Sequence, residues 1–290
     1  MRGFQNLLSK SKVWLTLGAG VGVTAYTLNR SRINAWCESE YVFDPNVPVN
    51  LPTGYPKWDY DWDKRQPYTL AGRMQGKGET EEKYHELLEK NKSKAVRNIY
   101  LIRVGEYDEN KSACESGLTQ VGREQVALTA KRLNEMAAQR NVKFNSISSA
   151  AVPVAKETAE ILQKNLGVKC TDSDPLLQEG CPSYPEPITH SISVEPKQLF
   201  QDGSRIEAGF RKYFHRADPT QEEDSFEVIV CDANVIRYFI CRAMQFPSQA
   251  WLRMMLAHGS INVISINPRG GVVLRAVGES GFLPPNKLTA

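Results

Sequence analysis

Histidine is scarce in this chain of 290 residues, which holds only four: His85, His190, His215 and His258. Any chemistry that runs through imidazole must use one of those positions. The six cysteines (Cys37, Cys114, Cys170, Cys181, Cys231, Cys241) form no CxxC pair. That argues against zinc ribbons and thioredoxin-type redox sites, and scattered cysteines in apolar runs read as reduced, buried thiols. No metal or other cofactor is implied. A net charge of +3 is too small to suggest a nucleic-acid binder. A hydrophobic fraction of 41% excludes a mostly disordered chain.

Acid is missing altogether from residues 1–37, which carry five basic residues, Arg2, Lys10, Lys12, Arg30 and Arg32. Subtracting these from the 36 basic residues of the whole leaves 31 against 33 acidic, so the remainder is a mildly acidic body. Within the basic segment, residues 13–28 (VWLTLGAGVGVTAYTL) carry no charge. As a helix this run would span about 24 Å, slightly short of a hydrocarbon core of about 30 Å, with Lys12 and Arg30 able to snorkel at its ends. A cleaved secretory signal lacks a clean small-residue site before residues 29–32. A soluble core helix is disfavoured by the basic flanks. A mitochondrial targeting segment that also anchors fits best, and we assign residues 1–32 to it, in the outer rather than the inner membrane.

Residues 33–96 read as a linker. Prolines at 45, 48, 52, 56 and 67 leave no helical or strand period over residues 38–70. Inside it lies WDYDWDKRQP, residues 58–67, with two tryptophans each followed by Asp. One reading is a tail folded back on its own domain. The other is a docking peptide whose tryptophans anchor in a pocket. Residues 79–94 read as a short polar helix, with Glu86 and Lys90 at i,i+4.

A globular domain follows over residues 97–290. Apolar, β-branched runs predict strands at 98–104, 144–149, 226–231, 261–266 and 272–277. Helices are expected from Thr119, a capping residue, to about Asn141, from Pro153 to Leu166, from Lys197 to His215 and from about Asn234 to Met244. This alternation predicts a three-layer α/β/α fold around a largely parallel sheet. Ligands of such sheets sit at the carboxyl ends of the strands.

Those strand ends carry a resemblance. Residues 101–105 (LIRVG) resemble the LxRHG signature of the histidine phosphatase (phosphoglycerate mutase) superfamily, with Val104 in the histidine place. Residues 118–125 (LTQVGREQ) match its LTxxGxxQ helix start, and residues 231–237 (CDANVIR) resemble its HxxxIR motif, with Asp232 in the histidine place. More narrowly, the Trp-Asp peptide, RIEAGFRKYFHRAD (205–218), QEEDSFEV (221–228), NVIRYFICRAMQFP (234–247) and GFLPPNKLT (281–289) resemble the mitochondrial serine/threonine protein phosphatases of this superfamily.

The resemblance implies phosphoryl transfer through a phosphohistidine, with two arginines and a second histidine on the phosphate oxygens and an acid at the leaving oxygen. Arg103 matches the first arginine and Glu179, in LLQEG, matches the acid. Val104 stands at the nucleophile position and has no lone pair. Residues 148–158 (SSAAVPVAKET) run two residues longer than the family's SSxxRAxxT, and Val154 falls where the second arginine is expected, with Lys156 nearby. Asp232 stands at the second histidine, where a carboxylate about 4 Å from one phosphate charge would repel it by about 4 kcal/mol at an effective dielectric near 20. Such a copy is expected to be inactive or very weak.

Among the histidines, His258 precedes a strand and is a rim candidate for substrate contact. His190 is a second candidate, in the Pro-rich loop of residues 175–197. His215 reads as structural and His85 as solvated. Asp232 or Asn234 can cap the following helix. In relatives the Trp-Asp peptide docks on a neighbouring domain and drives assembly; Trp58, Asp59, Trp62, Asp63, Arg65 and Pro67 match it. Two functions stay open. One is a pseudo-phosphatase acting by oligomerisation and by binding a phosphoprotein or stress-kinase partner, as a homo-oligomer or together with an active paralogue. The other is an active protein serine/threonine phosphatase at mitochondria. Sugar-phosphate mutase activity is least favoured, since it needs the same histidines.

Overall fold

The structure, a computed structural model, describes residues 57–72, 81–108, 116–188 and 195–290. The expected anchor at residues 13–28, and His190, lie outside them. Among the described residues no helix is long and apolar enough to cross a membrane. The described residues belong to one compact unit.

Six strands form one sheet: β1 (Arg97–Arg103), β2 (Ser146–Ala150), β3 (Cys170–Asp174), β4 (Ser225–Cys231), β5 (Ile261–Ile266) and β6 (Val272–Glu279), in the order β3-β2-β4-β1-β5-β6. The first three pairings are parallel, and β1·β5 and β5·β6 are antiparallel. The sheet is therefore mixed and mostly parallel. Every residue of β1 and of β5 is buried. Strands with no exposed face must be covered on both sides, so the near-continuous apolar runs INVISI and NIYLIR belong at the centre of a layered fold.

The helices are α1 (Pro67–Ala71), α2 (Glu81–Lys90), α3 (Gln120–Arg140), α4 (Pro153–Leu166), α5 (Pro196–Tyr213) and α6 (Ala233–Ala243). Thr119 caps α3 as expected, its hydroxyl accepting from the Gly122 N–H at 3.0 Å. Pro153 starts α4, where a missing N–H costs nothing. Helices α5 and α6 pack through Phe210, Phe214 and Phe239, with ring centroids 5.0–6.0 Å apart. At the amino end of α3, Gly122 lies so close to the chain after β1 that a Cβ there would sit 2.2 Å from the Glu106 carbonyl oxygen.

Strand β3 was not expected from its sequence, CTDSD, which has neither an apolar run nor β-branched density. It pairs with β2 alone, at the sheet edge. Side chains of α5 hold it: the Lys212 ammonium donates to Asp172 and Asp174 at 2.7 Å each, and the Tyr213 hydroxyl donates to Asp174 at 2.8 Å. Burial works to raise the Asp174 carboxyl, but Lys212, the Leu176 N–H and Tyr213 outweigh it and hold that group below the ordinary carboxylate range. A depressed carboxyl stabilises the fold above its unfolded pKa of about 3.9, and the contribution is lost as pH falls through its folded value. Asp174→Ala should cost about 1–3 kcal/mol in urea unfolding at pH 7. The gap to the parent should close below about pH 4; an equal gap at both pH values would show that the charge is not what holds β3.

Candidate active site

Register places three strand ends side by side: Arg103 pairs with Cys231, and Ser149 with Val230. The residues that leave these ends meet in one pocket, walled by Val104, Tyr107, Ala150, Val152, Val154, Ala155, Glu179 and Asp232. Four positions singled out in the sequence, Val104, Val154, Glu179 and Asp232, thus come together. The room open to the centre of a water molecule is about 10 Å3, about enough for one water.

Local contacts fix the four singled-out wall residues. Val104 is 2% exposed, and its N–H donates to the Cys231 carbonyl at 3.2 Å, tying β1 to β4 beyond their last paired residues. Val154, 1% exposed, lies in the first turn of α4 and points into the core. Lys156, two residues on, is exposed and takes no part in the wall, so a shifted register does not bring its cation in. Asp232 caps α6 by accepting from the Asn234 N–H at 2.8 Å. Of the two capping candidates, the aspartate takes the role. The Cys231 thiol beside it is pushed well up by burial and by the Asp232 charge. Glu179 is exposed, and its carbonyl accepts from Arg205 at 2.8 Å, as does that of Gln178 at 2.6 Å.

Arg103 is 6% exposed and is not part of the pocket wall. Its guanidinium donates to the Leu256 carbonyl and, at 2.8 Å, meets Nε2 of His258. His258 is 2% exposed and turned to this arginine, instead of lining the rim where a substrate contact was expected. With Nε2 accepting from Arg103, Nδ1 carries the proton toward the Thr289 hydroxyl at 3.0 Å. Burial and the Arg103 charge push the imidazole down to about 3, so it is neutral at physiological pH. Thr289 also accepts from the His258 N–H through its carbonyl at 2.9 Å and from the buried Gln125 amide through its hydroxyl at 2.8 Å. No sequence signal joins residues 103, 125, 258 and 289. Arg237 is also nearby: burial and Arg103 push its guanidinium down and Asp232 pulls it up, while one of its nitrogens donates to Asn234 at 3.1 Å. His215, pushed down to about 4 by burial and Arg97, lies against Arg97, and His85 is exposed.

Residues 99–278 match the sequence profile of the histidine phosphatase superfamily (branch 1). The chain is 46% identical to the mitochondrial serine/threonine-protein phosphatase PGAM5 of Xenopus tropicalis over 251 residues, 85% of this chain and 87% of that one. It is 44% identical to PGAM5 of Homo sapiens, over 93% of each chain. The chain belongs to the PGAM5 family of the histidine phosphatase superfamily. Among solved structures, Bacillus stearothermophilus YhfR shares the fold, with a TM-score of 0.50 and 20% identity over 64% of this chain and 98% of that one. The superfamily fold explains why strand-end residues converge here.

The Trp-Asp peptide of this PGAM5-like chain folds back on its own domain. Trp62 Nε1 donates to the Gly270 carbonyl at 2.8 Å, and its ring lies 6.0 Å from that of Phe210. The Asp59 backbone and the Gln245 amide exchange two hydrogen bonds of 2.8 and 2.9 Å. Asp63 accepts from the Arg216 N–H at 2.7 Å and from its guanidinium, and the two side chains are 0% and 1% exposed. Gly270, at φ +87°, is needed for this fit, since a Cβ there would come within 2.9 Å of Arg216 and the Tyr60 carbonyl. The Arg65 N–H donates to Asp63 at 3.2 Å, and Pro67 begins α1. Burial works to raise the Asp63 carboxyl, yet the hydrogen bonds and charge of Arg216 prevail and hold it low. Asp63→Ala would leave the Arg216 charge buried and uncompensated, an expected cost of about 3–5 kcal/mol. The tryptophan emission should shift red as Trp62 leaves Phe210. Unchanged stability and emission would show that this ion pair does not hold the peptide.

Proposed function

We propose that this chain is a pseudo-phosphatase of the PGAM5 family, acting through assembly and partner binding. The observation that carries this reading is the pocket wall itself: six of its eight residues are valine, alanine or tyrosine, the other two are carboxylates, and none is a cation. The resemblance requires a nucleophile where Val104 stands, an arginine where Val154 stands and a histidine where Asp232 stands. A buried valine cannot attack phosphorus, and loss of the nucleophile alone removes most of the activity of a catalytic unit. Arg103 and Glu179 persist, the first with its guanidinium engaged by Leu256 and His258.

On this reading the Trp-Asp peptide (Trp58, Asp59, Trp62, Asp63, Arg65, Pro67) supports homo-oligomers, or mixed assemblies with an active paralogue. Residues 13–28 anchor these at a mitochondrial membrane, in keeping with the mitochondrial names of the relatives. The partner is a phosphoprotein or a stress kinase, in keeping with the relatives' name of serine/threonine-protein phosphatase. The second reading, an active serine/threonine phosphatase, rests on the family name and on Arg103 and Glu179.

The two separate in one assay. Phosphate release from a phosphothreonine peptide should stay at background for the purified chain and be unaltered by Glu179→Ala. Turnover abolished by Glu179→Ala would establish the active reading. Trp58→Ala, followed by light scattering on the same samples, should give smaller particles if the peptide drives assembly.

A further inference from the structure

A second hollow lies at the other end of the sheet. Strands β1 and β4 start at Arg97 and Ser225, which pair in register, and the chain just before these starts meets the linker helices. Arg65 and Leu70 enter from the Trp-Asp peptide and α1, Lys90 from the end of α2, and Pro219 and Thr220 from the loop before β4. The room open to water centres is about 670 Å3, within the range of about 300–1,000 Å3 typical of small-molecule sites.

Three cations and three carboxylates line this groove: Arg65, Lys90 and Lys94 against Glu89, Asp218 and Glu222. Every carboxylate already accepts from its own chain. Lys92 donates to Glu89 and Lys94 to Glu222, while the Thr220 N–H and hydroxyl donate to Asp218 at 3.0 and 2.7 Å. Lys94 is therefore taken. Arg65 and Lys90 differ: among the described residues neither side chain makes a hydrogen bond or an ion pair. The charge of Arg65 does reach Asp218, adding to the hold that Thr220 has on that carboxyl, which lies low. The groove thus keeps two cations in reserve and no unengaged carboxylate.

That asymmetry selects negative charge. An organic cation finds no carboxylate without a donor. A compact anion such as phosphate puts its whole charge at one point, whereas the two cations come from separate elements, and the three carboxylates repel excess charge. Two carboxylates on a short carbon chain answer both conditions. A planar carboxylate matches the fork of a guanidinium, a second one suits the Lys90 ammonium, and methylenes between them suit Leu70 and Pro219.

We propose that this groove binds a small aliphatic dicarboxylate, with one end on Arg65 and the other on Lys90. The site stands apart from the strand-end pocket and does not depend on whether that pocket is active. Arg65 follows by two residues the Asp63 that pairs with Arg216. A ligand packed between Arg65 and the loop at Pro219 therefore also holds the Trp-Asp peptide on its domain.

The test is calorimetric titration of the full-length chain in detergent with succinate, glutarate and adipate, beside butyrate, glutaramide and inorganic phosphate. At least one dicarboxylate should saturate, with butyrate and glutaramide weaker by about fivefold or more and phosphate not saturating. Arg65→Gln and Lys90→Gln should each weaken the dicarboxylate by about fivefold. Lys90 lies outside the Trp-Asp peptide, so its variant reads the site even if Arg65→Gln unseats that peptide. Saturation by no dicarboxylate, butyrate or phosphate binding as tightly, or an affinity unchanged by Lys90→Gln would each overturn the proposal. So would binding that is lost with Arg103→Ala and kept with Lys90→Gln, since the ligand would then sit in the strand-end pocket.

Discussion

A guanidinium buried at the end of a central strand has to be satisfied from within the chain, and much of this molecule is arranged around that need. Arg103 ends β1 and is almost wholly enclosed. Its partners come from the stretch before β5, where Leu256 offers a carbonyl and His258 a neutral ring nitrogen. His258 is fixed by Thr289, and Thr289 by Gln125 of α3, whose carboxamide oxygen accepts from the Glu106 N–H on the loop that leaves β1. The path begins and ends beside Arg103. A buried charge without such partners would cost several kcal/mol, so the carboxyl-terminal residues are bound into the same structure as the strand end.

That arrangement separates the arginine from the pocket beside it. A phosphate site in this superfamily depends on donors aimed at the anion, and charge-assisted bonds from arginine are the strong ones. Here the wall is valine, alanine, Tyr107 and two carboxylates, with Asp232 serving as a helix cap. Val104, Val154 and Asp232 line one pocket together, two of them apolar and the third a helix cap. The same scaffold still brings the three strand ends together, because the sheet register does not depend on what those residues do.

Much of this was legible in the sequence for physical reasons. Strands β1, β4 and β5 are buried on both faces or nearly so, which makes them apolar runs that no solvated element would tolerate. Thr119 and Pro153 mark helix starts by rules that need only neighbouring residues. Val104, Val154, Glu179 and Asp232 were singled out by the family resemblance of the motifs around them, and the structure brings all four to one pocket. Strand β3 was not legible, since its residues are polar and are held by Lys212 and Tyr213 from far along the chain. The seat of the Trp-Asp peptide was not decided either, because the Asp63–Arg216 pair spans more than 150 residues. His258 looked like a rim residue from its place before a strand. Only the fold shows that Arg103 and Thr289 claim both of its ring nitrogens.

The central claim is that this pocket has ceased to be a phosphate site, and it can be tested without reference to turnover. Calorimetric titration of the full-length chain with orthovanadate, a phosphate-shaped anion, asks the question directly. The account predicts no saturable binding into the millimolar range, with Arg103→Ala giving the same flat titration. A saturable micromolar affinity that disappears with Arg103→Ala would contradict it.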